Sequence, residues 1–318
     1  MDLKGKSILL IAVLIVLIGS VSADDVNDTI AIENTDLSIS DTFETISVND
    51  NVQINTNAKN NSENNFEVIE TNNIENESND INSVTTVTTK TFEAIQAAVD
   101  SANAGDTIKL IGTYIGSGTK ITVDKNLSFV GENQATLDAK TLSQIIYVNT
   151  EIKITFTNIT FKNGITPKQY GGAVYLYTGF GNFTGCNFIS NTAELYEGGA
   201  VYIYTGKPLY FTNCNFISNT AGKGGAFYLS GGGYKSFTNC NFTDNTATDS
   251  NYGGGAIYIG SGSNNYFTDC NFKKNTATIT EGGALYILGS GNFTRCNFTD
   301  NTATSYNGQT IYIYPVVV

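Results

Sequence analysis

The side chains of this sequence that could do chemistry fall into columns of a repeat. Five cysteines, Cys186, Cys214, Cys240, Cys270 and Cys296, recur 26–30 residues apart. Each follows Phe-Thr-x and precedes Asn-Phe, so all five hold one repeat position, which Ile159 holds one unit earlier. Stacked in line, their Cβ atoms would stand about 4.8 Å apart, the spacing of paired strands. A disulfide needs about 3.8 Å. The expectation is therefore a ladder of inward, reduced thiols. Thiolates in a line make no tetrahedron, so neither a metal site nor a cofactor is expected. Histidine is absent, which excludes histidine general-base triads and histidine metal ligands.

Tyrosine forms the second column. Tyr175, Tyr202, Tyr228, Tyr258, Tyr286 and Tyr312 each sit between two aliphatic or aromatic residues that alternation turns inward. One reading is a stacked ladder that stiffens the molecule. The other is an outward aromatic platform for sugar rings. On the second reading Tyr175, Tyr202, Tyr228, Tyr258 and Tyr286 are the candidate binding residues. The acids are more scattered. Glu194, Glu197 and Glu281 fall in one variable corner of the repeat, where they could converge, although the spacing does not demand it.

The elements that position these columns are strands. GGAVYLY, GGAVYIY, GGAFYLS, GGAIYIG and GGALYIL begin at Gly171, Gly198, Gly224, Gly254 and Gly282, each followed by F-T-x-C-N-F and then N-T-A. A leading partial unit starts at Phe156 and a trailing one at Gly308. Units of this length with strand signals and no helix signals stack into a β-helix. Three short strands per coil are expected: the Tyr strand, one at Phe183, and one carrying Cys186 and Phe188. Asn191 is then expected to turn the chain through left-handed backbone. About eight coils would make a rod roughly 40 Å long. Ahead of them, Phe92, Ile95, Ala98, Val99 and Ala102 share one helical face, with Gly105 just past its end, which predicts a capping helix.

The N-terminus has a different character. Lys4 and Lys6 precede an unbroken apolar run from Ile8 to Ile18, and Val21 and Ala23 occupy the small-residue positions before a cleavage point. Residues 1–23 thus read as a secretory signal peptide, and no second apolar segment would cross a membrane. Residues 24–90 hold 14 acids, two lysines and 15 asparagines without periodicity, and read as a disordered acidic spacer. The chain carries a formal charge of -12, nearly all of it in that spacer, so nucleic acid is not an expected partner. Nine N-x-[ST] sequons, Asn241 and Asn297 among them, are candidate glycan sites in an exported chain.

The GGA-[IV]-Y and C-x-F-x-x-N-x-A pattern resembles the repeats of polymorphic outer membrane proteins and of adhesin-like proteins of methanogenic archaea. FEAIQAAVDSANAGDTIKLIGTYIG and DKNLSFVGENQATLDAK resemble the first coils of pectate-lyase-like right-handed β-helices. The resemblance covers residues 91–318. It implies an all-β, right-handed parallel β-helix, secreted or held at the cell surface, that binds cell-surface glycans or another cell. The alternative it leaves open is a polysaccharide-active lyase or hydrolase on the same fold. Cleavage after Ala23 is the expected processing, and N-terminal sequencing of the exported protein checks it; a chain that still begins at Met1 contradicts the signal peptide.

Overall fold

The computed structural model describes residues 82–166, 169–262, 264–304 and 309–313. The expected signal peptide, and the expected spacer as far as residue 81, lie outside the described residues. The end of that spacer belongs to the fold. Val84–Thr86 is a strand paired in parallel with Thr107–Lys109, and Asp106 fixes it by accepting the Ser83 N–H at 2.7 Å. The helix runs over Phe92–Ser101, with the Thr91 hydroxyl accepting the Ala94 N–H as its N-cap. Phe92, Ile95 and Val99 are buried against the first coils, as the helical face predicts. Among the described residues no helix is long and apolar enough to cross a membrane.

Every later strand pairs in parallel with its counterparts in neighbouring coils, giving sheets of 15, six and eight strands. One coil illustrates them all. Val174–Leu176 belongs to the eight-stranded sheet, and Phe180–Thr184 and Asn187–Ile189 to the 15-stranded sheet. Thr192–Glu197 belongs to the six-stranded sheet, so a coil holds four short strands where three are expected. The fourth is faint in the sequence because its pairing reduces in most coils to a Thr-Ala dipeptide, as at Thr246–Ala247 and Thr276–Ala277. Like residues face each other across coils: Val174, Tyr175 and Leu176 pair with Val201, Tyr202 and Ile203.

Two columns of phenylalanine fill the core. Phe183 stacks on Phe211 at 4.6 Å and Phe188 on Phe216 at 4.8 Å, while rings of the two columns meet edge to face. Between the columns the chain bends at one residue of left-handed backbone, which is Gly185, Asn213, Asn239, Asp269 and Arg295 in successive coils. A second bend has Ser190, Ser218, Asp244, Lys274 and Asp300 in the same conformation. The asparagine after that bend is not itself left-handed, contrary to expectation. Asn191, Asn219, Asn245 and Asn275 instead point inward and are fully buried. Each side chain is satisfied: Asn219 Oδ1 accepts from the backbone and the side chain of Asn191, and Asn219 Nδ2 donates to Phe188 O and Asn245 Oδ1, all at 3.0 Å. Glycine makes the last corner possible. Gly198 has φ +70°, and a Cβ on Gly199 would lie 2.1 Å from the Gly225 carbonyl of the next coil.

One buried cation interrupts the apolar interior. Lys235 stands where neighbouring coils place Leu209 and Asn265, and its ammonium donates to Thr205 O at 2.7 Å and to Gly232 O. Burial lowers its pKa to about 8.

The asparagine ladder gives a direct test. Asn219→Ala leaves several buried groups unpaired at about 1–3 kcal/mol each. Asn215→Ala removes a ladder amide that is only half-buried and bonds Asn187 at 2.8 Å. Urea unfolding is expected to show a much larger loss for Asn219→Ala, and equal losses would contradict the structural weight placed on the inner ladder.

Candidate functional site

The eight-stranded sheet turns its aliphatic residues inward and its tyrosines outward, as alternation requires. Because pairing is in register, Tyr147, Tyr175, Tyr202, Tyr228, Tyr258 and Tyr286 stack nearly parallel, with centroids 5.1 to 5.4 Å apart. Tyr312 continues the column at 4.8 Å, tilted by 31°. The expected column therefore exists, but its members are not all exposed. Tyr202, Tyr258 and Tyr286 are 7%, 4% and 3% exposed. Their faces pack on one another, and the corner loops fold over them. Tyr170 stacks on Tyr202 at 4.5 Å, and Tyr252 sets its edge against Tyr258 and Tyr286. Lys223 lies 4.8 Å over the Tyr252 ring and pairs with Glu197 at 3.1 Å, so one of the three corner glutamates holds the loops together.

A second aromatic pair sits two residues further along the same face. Tyr177 and Tyr204 stack at 5.1 Å and lie nearly parallel to Tyr175 and Tyr202. They are 40% and 47% exposed, well above the ladder. The pair ends abruptly. The Tyr204, Ser230 and Gly260 N–H groups donate to Leu176, Ile203 and Leu229 in turn, so Ser230 and Gly260 follow Tyr204 in its column. Among the described residues no third ring stacks on Tyr204 on that side. Ser230 and Ser261 share a hydrogen bond of 3.2 Å beside the step. The signal for this pair is Tyr-x-Tyr in YLYTG and YIYTG, which is confined to two of the five full units and so forms no invariant column.

The remaining reactive groups are held singly. Cys186, Cys214, Cys240 and Cys270 are buried free thiols and Cys296 is partly buried, as the ladder predicts. Burial pushes the Cys186 thiol well above its ordinary range, which favours the inert form. Glu151 pairs with Lys207, Asp138 with Lys140, and Asp269 with Arg295 through two hydrogen bonds. Among the described residues no three of Cys, Asp and Glu stand close enough to hold a metal ion. The sequon Asn241 donates its side-chain amide to Asn215, so a glycan there would break the outer asparagine ladder.

Burial raises the phenol of Tyr175 and of Tyr228 to about 12, and raises those of Tyr202 and Tyr258 as well. In the unfolded chain tyrosine ionises near 10. The ladder thus contributes stability that is whole below about pH 10 and is lost as pH rises through the folded values. Alkaline titration is expected to show ladder phenolate absorbance only as the fold melts between about pH 10 and 12. Ionisation of the ladder near pH 10 with the fold intact would contradict its burial.

Among known proteins, no curated relative matches the chain. A family model does: the one described as right handed beta helix region matches residues 143–315. That span takes in the five full repeat units and the Tyr204 step. With more than half of its length matched, the chain belongs to the right-handed β-helix family.

Proposed function

We propose that this chain is an exported, adhesin-like protein of the cell surface, which acts by binding glycans on a partner surface. The observation that carries this reading is the step at Tyr204. There an aromatic stack ends with one ring face uncovered, above Ser230 and Gly260. A sugar ring presents an apolar C–H face and a polar rim. Laid on Tyr204, its face would meet the aromatic ring while its rim reached the Ser230 and Ser261 hydroxyls. The buried ladder beneath supplies rigidity, so little ordering is left for the ligand to impose. The rest of the exterior supports binding over catalysis. Five of its carboxylates are engaged one at a time with Lys109, Lys140, Lys207, Lys223 and Arg295. Hydrolysis of a glycosidic bond needs two carboxyl groups aimed at one bond.

The ladder residues Tyr175, Tyr202, Tyr228, Tyr258 and Tyr286 enter this proposal as the support of the site, with the half-buried edge of Tyr228 beside the step. Tyr204→Ser is expected to weaken glycan-array binding of the mature protein at least tenfold and to leave its melting temperature unchanged, because the ring is exposed. Tyr258→Ser is expected to lower the melting temperature. Unaltered binding by folded Tyr204→Ser would move the site elsewhere. Failure of antibodies to label the protein on intact cells would refute surface display.

A further inference from the structure

The first coils carry a cleft of a different kind. Thr119, Lys120, Leu142, Ser143, Gln144 and Ile165 line an open cleft of about 570 Å³, within the range of small-ligand sites. It lies where the chain passes from the loop after Asp138 into the eight-stranded sheet, which Ile121–Thr122 and Ile146–Val148 begin. The step at Tyr204 is made of later coils, so the two sites share no residue.

The polar groups of the cleft have defined donor and acceptor roles. Gln144 is 5% exposed. Its side-chain amide nitrogen donates to Tyr170 O at 2.8 Å and to Gly171 O. Both amide hydrogens are thereby engaged and the orientation of the amide is fixed, leaving Oε1 as a buried acceptor with no donor. A buried acceptor in that condition costs about 1–3 kcal/mol unless something supplies a hydrogen. The Ser143 hydroxyl gives its proton to Thr119 O at 3.2 Å, and the Thr119 hydroxyl gives its own to Glu93 at 3.1 Å. Both oxygens therefore keep lone pairs free to accept. Among the described residues Lys120 is the one cation of the lining. Its ammonium lies 3.7 Å over the Tyr147 ring and pairs with no carboxylate among the described residues. Burial lowers its pKa, so the charge is poorly solvated and a bound anion would relieve it. The exposed Leu142 adds an apolar wall.

Three acceptors and one cationic donor define a complement that has several hydroxyl hydrogens and one negative group. We infer that this cleft binds a small hydroxyl-rich organic anion, a sugar acid or a sugar phosphate, with its anionic group on Lys120 and a hydroxyl donated to Gln144 Oε1. The source of the anion, carboxylate or phosphate, is left to the arms of the test.

Calorimetric titration of the mature protein with glucuronate, glucose 6-phosphate and glucose reads the inference directly. Binding of at least one of the two anions, at least tenfold tighter than glucose, is expected, and the tighter of the two names the anionic group. Lys120→Gln is expected to remove that preference and leave melting unchanged, since the side chain is half-exposed and bears no backbone contact. Gln144→Met is expected to weaken both anions while Lys120 keeps its place. If that variant does not fold, Ser143→Ala, which removes a facing acceptor without touching the Gly171 corner, is expected to weaken both in its stead. No binding by the folded wild type, equal binding of glucose and the anions, or an undiminished preference in Lys120→Gln would each overturn the assignment. Loss of array binding in Tyr204→Ser with anion binding retained separates this site from the glycan step.

Discussion

Everything in this molecule follows from pairing in register between coils. A parallel strand places each residue beside its counterpart one repeat away, at a single strand spacing. A side chain suited to self-stacking is therefore multiplied along the axis, and one that is not suited is penalised in every coil. Phenylalanine stacks with itself in the core, and asparagine satisfies itself by donating in one direction and accepting from the other. Cysteine is tolerated because a small thiol can donate to a carbonyl of the preceding coil, as Cys214 does to Phe183 at 3.4 Å. The buried asparagines matter most here. An amide has two donors and two lone pairs, and the ladder engages them with no water present. A one-residue slip in register would leave them unpaired in every coil at once, so the polar ladder fixes the register more sharply than the apolar columns could.

The same constraint decides where function can lie. A perfect column consumes the faces of its own rings, as the ladder from Tyr147 to Tyr286 shows. Ligand-accessible chemistry needs a break in the column. The Tyr177–Tyr204 stack breaks at Ser230 and Gly260, and an uncovered aromatic face results. The outer bend breaks at Gly185, between Asn158 and Asn213, and there a polar groove opens beside residues 131–136. The Lys120 cleft likewise precedes the first full repeat unit. Regularity builds the rod, and its interruptions build the surfaces with distinctive chemistry.

The fold was largely legible because it is periodic. The GGA and C-N-F columns set the inward and outward faces and the cysteine ladder, all from residue types at fixed offsets. The misses have physical causes. Asn191 looks like a turn residue because asparagine tolerates left-handed backbone, but the neighbouring Ser190 adopts that conformation and frees the amide to point inward. Val84–Thr86 looks like spacer because its own residues are exposed, and its strand is set by pairing with Thr107–Lys109 across the helix Phe92–Ser101. Burial of Tyr202 and Tyr258 depends on Tyr170 and Tyr252, which sit in loops of unequal length that no column aligns. The Lys120 cleft was illegible for the same reason: Lys120, Ser143 and Gln144 share no repeat position.

A repeating scaffold also bears on the choice between binding and catalysis. Bond cleavage needs unlike groups at one point, such as an acid, a base and a stabiliser of charge, each held in a different electrostatic setting. Stacked coils supply like groups along a line. Where unlike groups do meet here, at Lys120, Ser143 and Gln144, the coils are the irregular ones before the repeat is established. The two regions thus differ in character: the repeat units set like residues side by side, and the first coils bring unlike groups together.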